Sequence, residues 1–88
     1  MLGADIDTRI WPWCGEIDVT ELVGKSPNMA YGYLHGLLSG GFGGRGTTVD
    51  MPNGFANEYH TYAVDWLPES IDWFTNSIIG DDRHSAPY

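Results

Sequence analysis

Residues 15–24, Gly-Glu-Ile-Asp-Val-Thr-Glu-Leu-Val-Gly, put three carboxylates into what reads as a single β-strand. Successive side chains of a strand point to opposite faces, so Glu16 and Asp18 share one face and Ile17 and Val19 the other. Strict alternation turns Glu21 to the apolar side. One extra residue at Val19-Thr20, a β-bulge, returns it to the face of Glu16 and Asp18, and bulges recur beside active sites because they re-aim a side chain. Three acids on one face repel each other, and a purely structural strand gains nothing from that. A hydrolase that needs one ionised and one protonated carboxylate does gain. The competing readings are a solvated acidic face and a calcium site, though the ligand series of an EF-hand loop is absent.

The rest of the chain is equally strand-like. Aromatic and β-branched residues, twelve glycines and the lack of long 3.6-residue periods predict an all-β fold. Strands are expected at residues 15–23, 30–38, 58–67 and 70–75, with weaker ones at 47–51 and 77–80. Leu67-Pro68-Glu69-Ser70 reads as a hairpin turn, proline suiting its second position. Asn76-Ser77 is a second turn candidate, and serine tolerates positive φ less well than glycine. The glycine-rich segment 39–46 reads as a flexible surface loop, or as a loop beside a cleft with Phe42 or Arg45 touching a ligand. It lacks the Gly-Lys-Ser/Thr ending of a phosphate loop.

Composition narrows the partners. With 88 residues the chain is at most one domain, near the lower limit for an autonomous core. Its net charge is −8, and Arg9, Lys25, Arg45 and Arg83 are its only full cations. That excludes a nucleic-acid binder, which needs clustered Lys and Arg to displace counterions, and it favours a neutral polymer over a sulfated one. No transmembrane run, signal peptide or lipidation motif is present. The single Cys14 rules out an internal disulfide and reads as a small packed hydrophobe. His35, His60 and His84 are too scattered to suggest catalytic zinc.

Trp11-Pro12-Trp13-Cys14-Gly15-Glu16-Ile17-Asp18-Val19-Thr20-Glu21 resembles the signature of glycoside hydrolase family 16, in the bulged E-x-D-x-x-E form of laminarinases and related endo-β-1,3-glucanases. Residues 1–4, Leu34-His35-Gly36 and the run 59–66 fall in family order as well. The resemblance implies part of a two-sheet antiparallel β-jelly roll, a concanavalin A-like sandwich. Residues 1–88 would then be an internal piece of the catalytic domain carrying its catalytic strand, and unpaired strand edges would endanger the piece alone. The resemblance also implies secretion, a monomer, no catalytic cofactor, and a structural calcium possible elsewhere in the full domain.

By that likeness Glu16 is the nucleophile, Glu21 the general acid/base, and Asp18 the residue between them, able to share a proton with Glu16 and to hold Glu21 protonated. Along the bulged strand Glu16 and Glu21 stand about 13 Å apart at roughly 3.3 Å per residue. Side-chain reach then permits a carboxyl gap near ~5 Å, the spacing of a retaining double displacement, whereas inversion needs roughly 6.5–9.5 Å. A Trp-Pro-Trp cluster alone reads as core. The resemblance makes Trp11 a sugar platform whose indole N–H can bond a hydroxyl, and leaves Trp13 open. His35 takes a place in the cleft near the acid/base, bonding substrate or tuning Glu21. His60 reads as packing, His84 as exposed, Trp66 and Trp73 as core, and Asp72 as the polar side of a half-buried strand.

The expected function is an endo-β-glucan hydrolase cutting β-1,3 or mixed β-1,3-1,4 linkages. The alternatives are a jelly-roll carbohydrate-binding module without chemistry, or an inactive fragment. Retention of all three acids favours the enzyme, and the bulged motif disfavours xyloglucan.

Overall fold

A computed structural model describes residues 1–38, 41–76 and 83–87 of the chain. These residues form six strands: β1 Glu16–Leu22, β2 Met29–Leu38, β3 Gly41–Asp50, β4 Tyr62–Trp66, β5 Ser70–Thr75 and β6 Arg83–Pro87. They make two antiparallel three-stranded sheets, ordered β1-β2-β3 and β4-β5-β6. Among the described residues no helix is long and apolar enough to cross a membrane. The all-β sandwich expected from the sequence is present.

The core lies where the apolar faces of the two sheets meet. Ile17 of β1 pairs with Leu34 of β2. Both point toward Ile71 and Trp73 of β5, with Val64 of β4 opposite Trp73. Ile71 and Trp73 are almost fully enclosed. Gly32 lets the indole approach, since a Cβ there would stand 2.3–2.5 Å from ring atoms of Trp73. Ala30 and Val49, partners across β2 and β3, are buried as well. At another edge Phe55 packs with His60 and Tyr62, so His60 serves packing as expected, with Asn76 Nδ2 2.8 Å from its Nδ1.

Residues 1–3 run along the free edge of β1. Leu2 bridges Glu16, Gly3 N donates to Gly15 O at 3.0 Å, and Ile17 N donates to Met1 O at 2.8 Å. β1 is therefore held on both sides, which fixes its faces. The turn at 67–70 forms as read, closed by Leu67 N to Ser70 O at 2.9 Å. Ser77 lies outside the described residues, and Asn76, the first residue of the second turn candidate, has a positive φ of 55°. Asparagine tolerates that region better than most residues. Its backbone and side chain both bond Thr61.

Several expectations need correction. Segment 39–46 is not a loop from Gly41 onward: β3 starts there and pairs with β2 without interruption. Glycine runs depress strand propensity, but here the neighbouring strand's aromatic rings occupy the space that side chains would fill. Arg45 pairs with Leu34, on the face away from the carboxylates. β4 begins at Tyr62, and 58–61 is irregular. Trp66 is 66% exposed, so it is not core, whereas Asp72 is 7% exposed and both faces of β5 are covered. β6 was not anticipated, and the strand expected at 77–80 and the side chains of Phe42 and His84 lie outside the described residues.

Candidate active site

The register between β1 and β2 decides where the acids point. Glu16 pairs with His35, Asp18 with Tyr33, and Glu21 with Tyr31, with a register shift between Asp18 and Glu21. Three steps along β1 thus match two steps along β2. Tyr31, Tyr33 and His35 alternate on β2 and share a face, so their partners Glu16, Asp18 and Glu21 share it too. The bulge lies where the sequence placed it, at Val19-Thr20.

Asp18 sits at the middle of the constellation. Its side chain keeps 12% of its exposure, and its Oδ2 lies 3.4 Å from His35 Nε2, an ion pair whenever the imidazole is protonated. Burial raises the Asp18 pKa above 3.8; the hydrogen bond with Glu16 and the negative charges of Glu16 and Glu21 raise it further, while His35 opposes them. The hydrogen bond between the two neighbouring carboxyls thus favours the protonated form of Asp18.

Trp11 reaches the site from the turn before β1. Its Nε1 donates to Glu16 Oε2 at 2.5 Å, and its ring lies 5.7 Å from His35, tilted by 59°. The indole N–H that the sequence left open for a sugar hydroxyl instead orients the Glu16 carboxylate. Half of the ring stays exposed for a ligand face. His35 falls beside Asp18 and Glu16, opposite Glu16 in the register.

Sequence reasoning missed Tyr33. Its ring stacks on His35 at 4.6 Å and 26°, and it lies across Gly44 and Gly46 of β3. The alternation Tyr31-x-Tyr33-x-His35 was the available signal. Behind the acids, Trp73 Nε1 donates to the Asp18 carbonyl at 2.8 Å.

Among the described residues, Glu16, Asp18 and His35 are the group whose possible metal-ligand atoms lie within 4.8 Å of one another. A nitrogen from His35 suits calcium poorly, since calcium takes oxygen ligands. The set lies in the cleft, whereas the structural calcium that the resemblance allowed belongs elsewhere in the full domain.

Residues 4–84 match the family model of the glycosyl hydrolases family 16. The chain belongs to that family. A glucan endo-1,3-β-glucosidase of Cryptopygus antarcticus is 42% identical over 71 residues, covering 78% of this chain and 26% of that protein. A β-glucanase of Rhodothermus marinus is 37% identical, covering 78% of this chain and 24% of its own length. The laminarinase catalytic domain of Thermotoga maritima superposes with a TM-score of 0.77 at 26% identity, over 98% of this chain and 34% of that one. The chain thus spans about a quarter of the length of these two relatives and a third of this structure.

Proposed function

We propose that the protein carrying this family 16 segment is a retaining endo-β-glucan hydrolase acting on β-1,3- or mixed-linkage β-1,3-1,4-glucans outside the cell. The observation that carries the reading is the register shift between Asp18 and Glu21, which gathers three acids on one face of β1. The laminarinase and β-glucanase names of the relatives support the substrate class.

Glu16, oriented by the Trp11 indole, attacks the anomeric carbon while Glu21 protonates the departing oxygen. A glycosyl-enzyme ester forms on Glu16. Glu21, now a base, takes a proton from water, the water attacks the anomeric carbon, and Glu16 leaves as carboxylate. Asp18 holds the proton it shares with Glu16 in the resting site and gives up that bond as Glu16 becomes the nucleophile. Two carboxyls supply both the acid and the nucleophile, so the chemistry calls on no cofactor.

In the full-length protein, Glu16→Gln should abolish nearly all release of reducing ends from laminarin while the variant still folds. Proton NMR of the first products should show the β-anomer, the configuration of the substrate. Turnover surviving the substitution, or inverted product, would overturn the assignment of roles. A non-catalytic carbohydrate module would bind laminarin and release nothing from it even as wild type.

A further inference from the structure

His35 faces the acids through Nε2, 3.4 Å from Asp18 Oδ2, and its side chain keeps 28% of its exposure. An imidazole is usually oriented by a hydrogen bond at its second nitrogen. Here Nδ1 lies over β3, 3.1 Å from where a Cβ on Gly44 would stand. Gly44, the residue opposite His35, has no side chain to make that bond. Two other rings bound the imidazole instead. Trp11 lies 5.7 Å away and is tilted by 59°, whereas Tyr33 lies 4.6 Å away and only 26° from parallel.

The closeness of Tyr33 is built into the sheet. Residues two apart on one face of a strand stand about 6.6 Å from each other. Rings 4.6 Å apart must therefore lean together. Gly46 and Gly44 permit the lean, since a Cβ on either would stand 2.3 or 2.4 Å from an atom of the Tyr33 ring. Tyr33 is also the direct partner of Asp18 across β1 and β2, whereas His35 is the partner of Glu16. His35 thus reaches Asp18 on the diagonal, toward the Tyr33 end of the strand pair. With the tyrosine ring laid over the glycines of β3, the imidazole stacks on it and comes to rest beside Asp18.

We propose that Tyr33 is a positioning residue of this site: by stacking on His35 it holds the imidazole against Asp18 and so sustains turnover. Its effect on turnover rests on the glucan-hydrolase reading above, and its effect on the imidazole does not. A polar group already in place beside charges that change during a reaction needs no reorganisation at that moment. A held imidazole therefore serves the acids better than a swinging one. Only the ring face of Tyr33 is needed for this, so phenylalanine should serve as well. A tyrosine that merely filled the space over β3 would act on the sheet as a whole and not through His35.

The test uses the full-length protein. Tyr33→Met fills the space over the glycines with a flexible side chain that has no ring face, and Tyr33→Leu is a second variant without a ring. Either should lower kcat on laminarin by roughly two- to tenfold, the scale of one aromatic contact, with little change in KM. Tyr33→Phe should keep the wild-type kcat. In a His35→Gln background Tyr33→Met should cause no further loss, because no imidazole is left to place. The position of the imidazole is read without turnover by proton NMR. A nuclear Overhauser contact between the His35 ring and the Asp18 Cβ protons should appear in the wild type and in Tyr33→Phe, and fade in the variants without a ring. Equal losses of kcat from Tyr33→Met with and without His35, or an undiminished His35–Asp18 contact in those variants, would overturn the proposal. If the wild type cleaves no glucan, the hydrolase reading fails, and the NMR contact still decides whether Tyr33 holds the imidazole.

Discussion

Trp73, at the centre of the second sheet, donates its indole N–H to the backbone carbonyl of Asp18 at 2.8 Å. The partner is the last residue before the β1 register shift, where the ladder to β2 is interrupted. A bulge leaves local backbone groups without cross-strand partners, and a buried unpaired carbonyl is costly. Trp73 supplies the Asp18 carbonyl with a donor from the opposite layer, and Gly32 clears the space for its ring. The irregularity that aims Glu21 is thereby tied to the core.

Trp73→Phe keeps most of the ring and removes that donor. We expect a loss of about 1–3 kcal/mol, the cost of leaving a buried acceptor unpaired. Urea denaturation measures it. Because the loss falls at the bulge, kcat on laminarin should drop more than KM changes in the full-length protein. A variant that is destabilised but turns over at the wild-type kcat would show that the bulge holds its shape without the indole.

Asp18 governs a pH dependence whose sign follows from its surroundings. Burial first, then the bond to Glu16 and the charges of Glu16 and Glu21, raise its pKa above 3.8. The folded protein thus keeps a proton at pH values where the unfolded chain has released it. The stability this group contributes is full below about pH 3.8 and is lost as pH rises through the raised value. Asp18→Asn should remove that loss, so denaturation midpoints of the two proteins diverge in favour of the variant across this window. His35 lowers the Asp18 pKa. His35→Gln should therefore move the Asp18 carboxyl titration upward, which carbon NMR of the labelled side chain reads directly.

Much of this site was legible because it is written in local alternation. Residues 16–21 alone fix which acids share a face once a bulge is allowed, and Trp11 precedes them by a single turn. What stayed hidden depends on partners distant in sequence. The placement of His35 beside Asp18 follows from the β1–β2 register, which no local pattern states. Segment 41–46 read as a loop because glycine disfavours strands in isolation. Trp66 read as core because an aromatic in an alternating run usually is, yet at the end of β4 it is 66% exposed in this chain.

The glycines of β3 carry the last consequence. Gly46 pairs with Tyr33 and Gly44 with His35, and Tyr33 lies flat across both. A Cβ on Gly46 would stand 2.3 Å from Tyr33 Cδ2 and 2.6 Å from the Gly32 carbonyl. Backbone cannot step aside as a side chain can, so Gly46→Ala should cost about 1–3 kcal/mol through overpacking. At Gly44 a Cβ would meet Tyr33 Cε1 at 2.4 Å and His35 Nδ1 at 3.1 Å. Relief there requires the stacked pair to move, which displaces His35 from Asp18. Gly44→Ala should thus raise the Asp18 titration as His35→Gln does, and lower kcat in the full-length protein. Gly43→Ala is the control, because nothing lies within 4 Å of its Cβ, and its stability change should stay within about 0.5 kcal/mol. Equal melting and equal Asp18 titration for the alanine variants at 43 and 44 would show that Tyr33 and His35 do not depend on the bare backbone beneath them.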